Sequence, residues 1–177
     1  MGHHQAVGRA SCLQCRRGGF CEGDKHEPEP RHIHDQVTGS GTFEVPEKDE
    51  EGDDVTGGGT WDITTGAVSS HGTYKVTGVV LWFEAPGTFP GAFTDNIGNP
   101  ADARAGFAVL RIKYSDGERG ILVVSCSFVG TPNTVFEGIT ASKGFTDFWK
   151  AQPPTGTPTT PNANRTLFHV VRDDDDN

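Results

Sequence analysis

Apolar and polar residues alternate along several short segments of the chain, and glycine or proline residues separate these segments. Alternation of this kind is typical of strands that bury one face. The pattern predicts strands over 41–46, 59–64, 71–84, 105–115 and 120–130, two further strands within 135–149, and a closing strand over 165–172. Asp116 and Gly117 predict a tight hairpin turn. The pattern predicts no helix.

The longest extended segment covers 71–84, and its alternation gives it two distinct faces. Tyr74 and Trp82 belong to one face and Leu81 to the other. Gly78 interrupts the middle of this segment. A glycine at such a position predicts a bulge or a sharp bend, which the strands of a barrel require.

Several strands separated by closely spaced turns indicate an all-β fold. We expect a single antiparallel β-barrel of about eight strands, with a β-sandwich as the alternative. Mid-strand glycines and a C-terminal strand that can pair with an early strand favour closure into a barrel. The chain divides into an extended Cys/His-rich arm at 1–40, a barrel domain at 41–172 and an acidic tail at 173–177.

Two glycine-punctuated segments carry a resemblance to known families. The segment 114–120, YSDGERG, is followed by GTPNTVFEGITASKG at 130–144. Together they resemble the last half of allene-oxide-cyclase-like and dirigent-like barrels, which run a hairpin into a GTG-x-F-x-G-x-x-G element. The resemblance lies in the C-terminal half of the chain, and Pro132 stands where those families usually have glycine. It implies an eight-stranded barrel, in some members with a ligand lumen, and carries over no catalytic residue.

Composition narrows the classes of protein that fit the chain. The 177 residues suit one domain, and 24 glycines with a single methionine argue against a helical bundle. The net charge of -9 disfavours nucleic-acid binding. No apolar stretch is long enough to predict a membrane span, and no secretory signal is visible. We expect a cytoplasmic protein, although a mature secreted chain would look the same.

The acidic residues are concentrated in two segments. Residues 44–54 hold seven acidic side chains against Lys48, and four aspartates follow one another at 173–176. The rest of the chain is close to neutral. Dense runs of like charge favour solvated, extended chain, so we interpret both as solubilising segments. The spacing of the first run does not match a calcium-binding loop.

The N-terminal arm holds one candidate metal site. Cys12, Cys15, Cys21 and His26 provide the ligand types of a Cys3His zinc shell, and the C-x-x-C pair lets two thiolates reach one ion. Two nearby histidines are alternative nitrogen ligands: His32 and His34. A disulfide or redox pair and free thiols stay open as alternatives to zinc. The fourth cysteine, Cys126, lies within a strand and is expected to be a buried apolar side chain.

A ligand site is predicted beneath the long Gly/Pro-rich loop at 85–104, because loops of this length are usually functional. The aromatic side chains expected to contact the ligand are Trp82, Phe89, Phe93 and Phe107. The candidate catalytic residues are Glu84, Arg111 and His169. Arg111 lines a cationic lumen if its face of the strand points inward. We expect it to point outward into solvent.

Two classes of function stay open. The first is a small-molecule-binding barrel that isomerises or cyclises an apolar ligand under the 85–104 loop. The second is a non-catalytic structural or interaction protein, which assembles with a second copy or a protein partner through a zinc-binding arm at 1–40. The sequence does not decide whether the protein is an enzyme.

Overall fold

The computed structural model describes residues 6–11, 36–45, 54–65, 67–92, 95, 98–149, 155–157, 160–163 and 165–172. Within these ranges the fold is all-β, with one short 3-10 helix at Pro100–Asp102. The strands are β1 (Ala6–Ser11), β2 (Gln36–Glu44), β3 (Val55–Thr65), β4 (Val68–Ala85), β5 (Ala103–Tyr114), β6 (Arg119–Cys126), β7 (Gly138–Lys143), β8 (Thr146–Trp149), β9 (Thr155–Thr157), β10 (Thr160–Ala163) and β11 (Phe168–Arg172). Across the part of the chain that is described, no helix is long and apolar enough to cross a membrane.

Nine strands form one antiparallel sheet in the order β11-β1-β2-β3-β4-β5-β6-β7-β8. β11 also pairs with the start of β5, where Phe168 lies opposite Arg104 and His169 lies opposite Ala103. Among the described residues β8 pairs only with β7. The all-β antiparallel fold is therefore confirmed, whereas the closed eight-stranded barrel is not. The C-terminal strand meets β1 and β5 instead of completing a ring through β8.

The N-terminal half of the sheet begins earlier than the sequence pattern predicts. β1 and the first residues of β2 come from the predicted arm, and β3 includes the glycine run at 57–59. Here the backbones of β2 and β3 approach closely. A Cβ atom added to Gly59 would lie 1.7 Å from the Thr38 carbonyl oxygen, and one added to Gly41 would lie 2.2 Å from that of Thr56. The glycines therefore permit this pairing instead of ending the strand.

Two bulges shift the register of β4 against β5. They lie between Val76 and Gly78 and between Val79 and Leu81. The bulge predicted at Gly78 is thus confirmed. Because two extra residues restore the original alternation, Tyr74 and Trp82 share the core face and Leu81 points outward, as predicted. Only the residues between the two bulges, Val79 and Val80, exchange faces. Val79 is fully buried as a result, whereas Val80 is 41% exposed.

The core lies on the inner face of the sheet and contains two groups of aromatic side chains. The first group is Phe43, Trp82 and Phe168, with ring centroids 4.7 to 6.4 Å apart. The second group is Trp61, Tyr114 and Trp149, with ring centroids 5.8 to 6.4 Å apart. A small cavity of about 30 Å³ also lies among β2 to β7. It has room for about one water molecule.

Candidate functional site

The loop between β4 and β5 lies over β11 and covers His169. The His169 imidazole Nε2 is 2.6 Å from Asp95 Oδ2, and the side chains are 5% and 0% exposed, respectively. Asp95 Oδ1 also accepts the backbone N–H of Gly98 at 3.1 Å. Gly98 packs against the ring, because an added Cβ would lie 2.8 Å from His169 Cδ2 and Nε2. The loop is therefore fastened to the sheet by a buried carboxylate–imidazole pair.

This pair has the geometry of a carboxylate that orients a histidine. In the neutral imidazole, the Nε2 hydrogen points at Asp95 and the lone pair lies on Nδ1. Nδ1 is buried and has no hydrogen-bond partner in the described structure. A base needs access to the proton that it removes, and His169 is only 4% exposed. The arrangement therefore holds the loop rather than presenting a base to solvent.

Glu84 lies at the end of β4, beside the same loop, as the sequence predicted. Its carboxylate Oε1 is 3.5 Å from Arg104 Nε, in a half-exposed ion pair. The Arg104 guanidinium also donates to the backbone carbonyls of Ala101 and Ala103, at 2.8 Å each. Glu84 thus takes part in anchoring the C-terminal end of the loop.

Arg111 lies on the outer face of the sheet, which is the face opposite to the core. On β5, Ala108, Leu110 and Ile112 are buried in the core, so Arg111 and its alternating neighbours point outward. This agrees with the outward orientation that we expected. Arg111 is also distant from Glu84. Glu84 lies opposite Gly106, and five residues of extended strand span about 17 Å. The three candidate catalytic residues therefore do not share one site.

The aromatic residues predicted to hold a ligand are also dispersed. Trp82 belongs to the core and packs on Phe168. The ring of Phe89 packs edge-on against that of Phe128, with ring centroids 5.4 Å apart, in the loops at one end of the sheet. The ring of Phe107 stacks on that of Phe83 on the outer face, with ring centroids 5.4 Å apart. Phe93 lies outside the described residues.

The predicted metal ligands Cys12, Cys15, Cys21 and His26 all lie outside the described residues, as do His32 and His34. The zinc site accordingly stays a prediction. Within the described ranges, no group of three or more His, Cys, Asp or Glu side chains is placed to hold a metal ion.

The sequence analysis missed a polar cluster that joins the end of β6 to the residues before β11. Glu137 accepts the backbone N–H of Ser127 at 2.7 Å through Oε2 and that of Thr166 at 2.8 Å through Oε1. The Cys126 thiol donates to the Thr166 carbonyl at 3.3 Å. Cys126 is 0% exposed, which confirms the prediction that it is a buried side chain.

Burial dominates the electrostatics of this cluster. It raises the pKa of Glu137 to about 7, although the two backbone N–H donors and the charge of Arg165 oppose the shift. Burial also raises the pKa of the Cys126 thiol, and the negative charge of Glu137 adds to the effect. A thiol held neutral in this way is a poor nucleophile. The cluster fastens two chain segments together.

A row of three cations crosses the outer face of β4, β5 and β6. Lys75 lies directly opposite Lys113, and Lys113 lies directly opposite Arg119. All three side chains are exposed, and no acidic side chain of the described residues pairs with them. We call these residues the cation row. The alternation of each strand predicts an exposed side chain at each position, but only the register brings the three together.

An open groove adjoins the cation row on the outer face. It consists of two hollows of about 830 and 340 Å³, which share Ile121 and Ser142 in their linings. Its lining also includes Arg111, Arg119, Val123, Lys143 and Phe145. We call it the outer groove.

Comparison with known proteins finds no matching family model, no matching curated protein and no matching solved structure. The resemblance to allene-oxide-cyclase-like and dirigent-like proteins accordingly stays a prediction.

Proposed function

We propose that this chain is a non-catalytic interaction protein, which binds an acidic segment of another protein through the outer face of β4 to β6. The observation that carries the proposal is the cation row. Three exposed cations stand side by side in a chain whose net charge is -9.

The cation row destabilises the sheet of the isolated protein. Like charges directly opposite each other on neighbouring strands destabilise a sheet by a few tenths of a kcal/mol or more. Lys75, Lys113 and Arg119 form two such pairs in succession. Carboxylates of a partner would remove this repulsion and gain charge-assisted hydrogen bonds. Binding of an acidic segment is therefore the use that best fits the arrangement.

The interior supports the same proposal. A small-molecule site of ordinary size needs several hundred Å³, whereas the cavity described among β2 to β7 measures about 30 Å³. The candidate catalytic groups also favour a scaffold. His169 is covered by the loop, and Glu84 is paired with Arg104. We therefore favour the interaction class over the ligand-barrel class. The zinc-binding arm remains a second possible means of assembly.

The proposal is tested by titrating the whole protein with a fluorescein-labelled poly-L-glutamate peptide. We expect binding at about 20 mM salt that weakens strongly by about 300 mM salt, because salt screens exposed charges. Lys113→Gln should weaken the binding about two- to fivefold, since Lys113 is the centre of the row. The matched control is Val68→Glu, which changes the net charge equally at an exposed site on the β3–β4 hairpin.

Two results would contradict the proposal. One is absence of binding at the lowest salt concentration. The other is an equal loss of affinity in Lys113→Gln and Val68→Glu, which would show that only the net charge of the molecule matters.

A further inference from the structure

The outer face carries a second property that the cation row does not explain, which is a set of exposed apolar side chains. The exposed fractions are 45% for Leu81, 49% for Phe83, 40% for Ile121 and 110% for Phe145. Single exposed apolar residues are ordinary, but a contiguous group on one face is typical of an interaction surface.

These side chains are contiguous because the register places them in adjoining rows. Leu81 lies opposite Val109, which lies opposite Val123. Ile121 comes two residues before Val123 on β6, and so lies on the same face. Phe83, with its stacked partner on β5, extends the apolar surface further from the cation row.

The outer groove brings the charged and apolar surfaces together. Arg119 lines one end of it, Ile121 lies in the middle directly opposite Arg111, and Val123 lines the other end. Phe145 stands at the β7–β8 turn, beside the groove. Two acidic residues also line it: Glu118, which is 3.6 Å from Lys143, and Asp147, which lies on β8 opposite Ser142. The groove therefore has a cationic end at Arg119, and exposed apolar side chains follow it along β6.

From this juxtaposition we propose that the partner segment is amphipathic, with an acidic residue followed by apolar residues at alternate positions, and that it lies extended in the outer groove along β6. This inference rests on the proposed function. Arg119, Ile121 and Val123 follow one another at alternate positions of one strand, about 6.6 Å apart. An extended segment presents its own alternate side chains at the same spacing. A carboxylate can then meet Arg119 while two apolar side chains cover Ile121 and Val123.

The charges favour this partner over an uncharged peptide. Lys113 and Lys75 lie beside Arg119 on the neighbouring strands, so the acidic residue of the segment meets a row of positive charge at this end of the groove. The expected order along β6 is thus acidic first and apolar second, with the acidic end at Arg119.

The test uses the whole protein and three labelled peptides of equal length. The first has the pattern Glu-Glu-Ser-Leu-Ser-Leu, the second replaces both leucines by serine, and the third replaces both glutamates by glutamine. We expect the first peptide to bind about tenfold more tightly than either of the others, because each of the others lacks one of the two kinds of contact.

Two protein variants assign the apolar contact to the groove. Ile121→Ser should remove most of the difference between the first and second peptides and should leave binding of the second unchanged. Val68→Ser is the matched control, because Val68 is 69% exposed on the distant β3–β4 hairpin. Thermal unfolding of both variants checks that the fold is retained.

The outcomes separate this inference from the proposed function. Equal affinity for the first and second peptides overturns the inference and leaves the proposed function standing. Failure of every peptide and of poly-L-glutamate to bind overturns both. Equal effects of Ile121→Ser and Val68→Ser overturn the assignment to the groove. A further result is that the first peptide fails to bind while the protein binds phosphatidylserine vesicles, or self-associates in sedimentation, in a way that depends on Ile121. That result identifies a different occupant and overturns the inference.

Discussion

Individual side chains of this protein are placed by environments that their neighbours in sequence do not provide. Lys143 illustrates the point. Its ammonium lies 2.5 Å from Asp116 and 5.0 Å from the centre of the Trp61 ring, and its side chain is only 12% exposed. The hydrogen bond from Lys143 lowers the pKa of Asp116. A lysine at a hairpin turn thereby becomes part of the packing around the Trp61 aromatic group.

Glu137 should make the stability of the protein depend on pH. Its pKa rises from 4.5 in the unfolded chain to about 7 in the folded one, so the folded state binds its proton more tightly. The contribution to the free energy of unfolding is therefore complete below about pH 4.5 and is lost as the pH rises through 7. It amounts to about 3 kcal/mol. Chemical denaturation at about pH 5 and at about pH 7.5 measures it.

The variant Glu137→Gln should remove this part of the pH dependence and destabilise the protein by about 1–3 kcal/mol at low pH, because one backbone N–H loses its acceptor. Glu84→Gln is the control, because it removes one carboxylate at a half-exposed position. An unchanged pH profile in Glu137→Gln would show that another group titrates.

At the scale of elements, the β4–β5 loop is part of the folded body of the protein. It contacts β11 through His169, and Thr88 forms a backbone bridge with Val129 in the loop after β6. The sequence analysis predicted a lid over a ligand site from the length and composition of this loop. The described contacts hold the loop against β11 through the buried pair of Asp95 and His169.

Substitution within this loop should show how tightly it is held. Gly98→Ala should open the loop, because the added methyl group would lie 2.8 Å from the His169 ring. We expect a loss of about 1–3 kcal/mol and faster hydrogen exchange over 86–102. Gly91→Ala is the matched control, since nothing lies within 4 Å of the added atom. Equal exchange rates in the two variants would show that Gly98 does not pack against the ring.

At the scale of the whole molecule, the core and the strand pairing connect the C-terminal strand with strands from the N-terminal part of the chain. Phe168 of β11 is 0% exposed and contacts Phe43 of β2 and Trp82 of β4. β11 also pairs with both β1 and β5. The C-terminal strand therefore supports elements that are far apart in the chain, and we expect the described sheet to unfold as one unit.

Phe168→Ala should destabilise the whole sheet by about 3–5 kcal/mol, because it removes a fully buried ring. Hydrogen exchange should quicken in β2 and β5 alike. Phe145→Ala is the control, since the Phe145 ring is fully exposed, and it should change the free energy of unfolding by less than about 0.5 kcal/mol. Similar effects of the two substitutions in chemical denaturation would contradict the described core.

The cation row and the pair formed by His169 could be predicted only in part, because both depend on how distant strands and loops come together. Sequence alternation predicts that Lys113 and Arg119 are exposed. It does not predict that both align with Lys75, because that depends on bulges in β4 and on the pairing of three strands. The partner of His169 lies 74 residues away in the chain. No local pattern connects such residues, so the sequence could not show that Arg111 lies apart from Glu84 or that His169 is held by Asp95.

The sequence by itself determined that the protein is built of antiparallel strands, that β5 and β6 form a hairpin at Asp116 and Gly117, and that Cys126 is buried. These are properties of the pleat and the turn, which a few neighbouring residues specify. Only the tertiary structure decided the strand order, the return of β11 to β5, the faces of Val79 and Val80 between the bulges of β4, and the joining of the cation row to the outer groove. Each of these depends on pairing between distant segments, where a shift of one residue reverses every side chain.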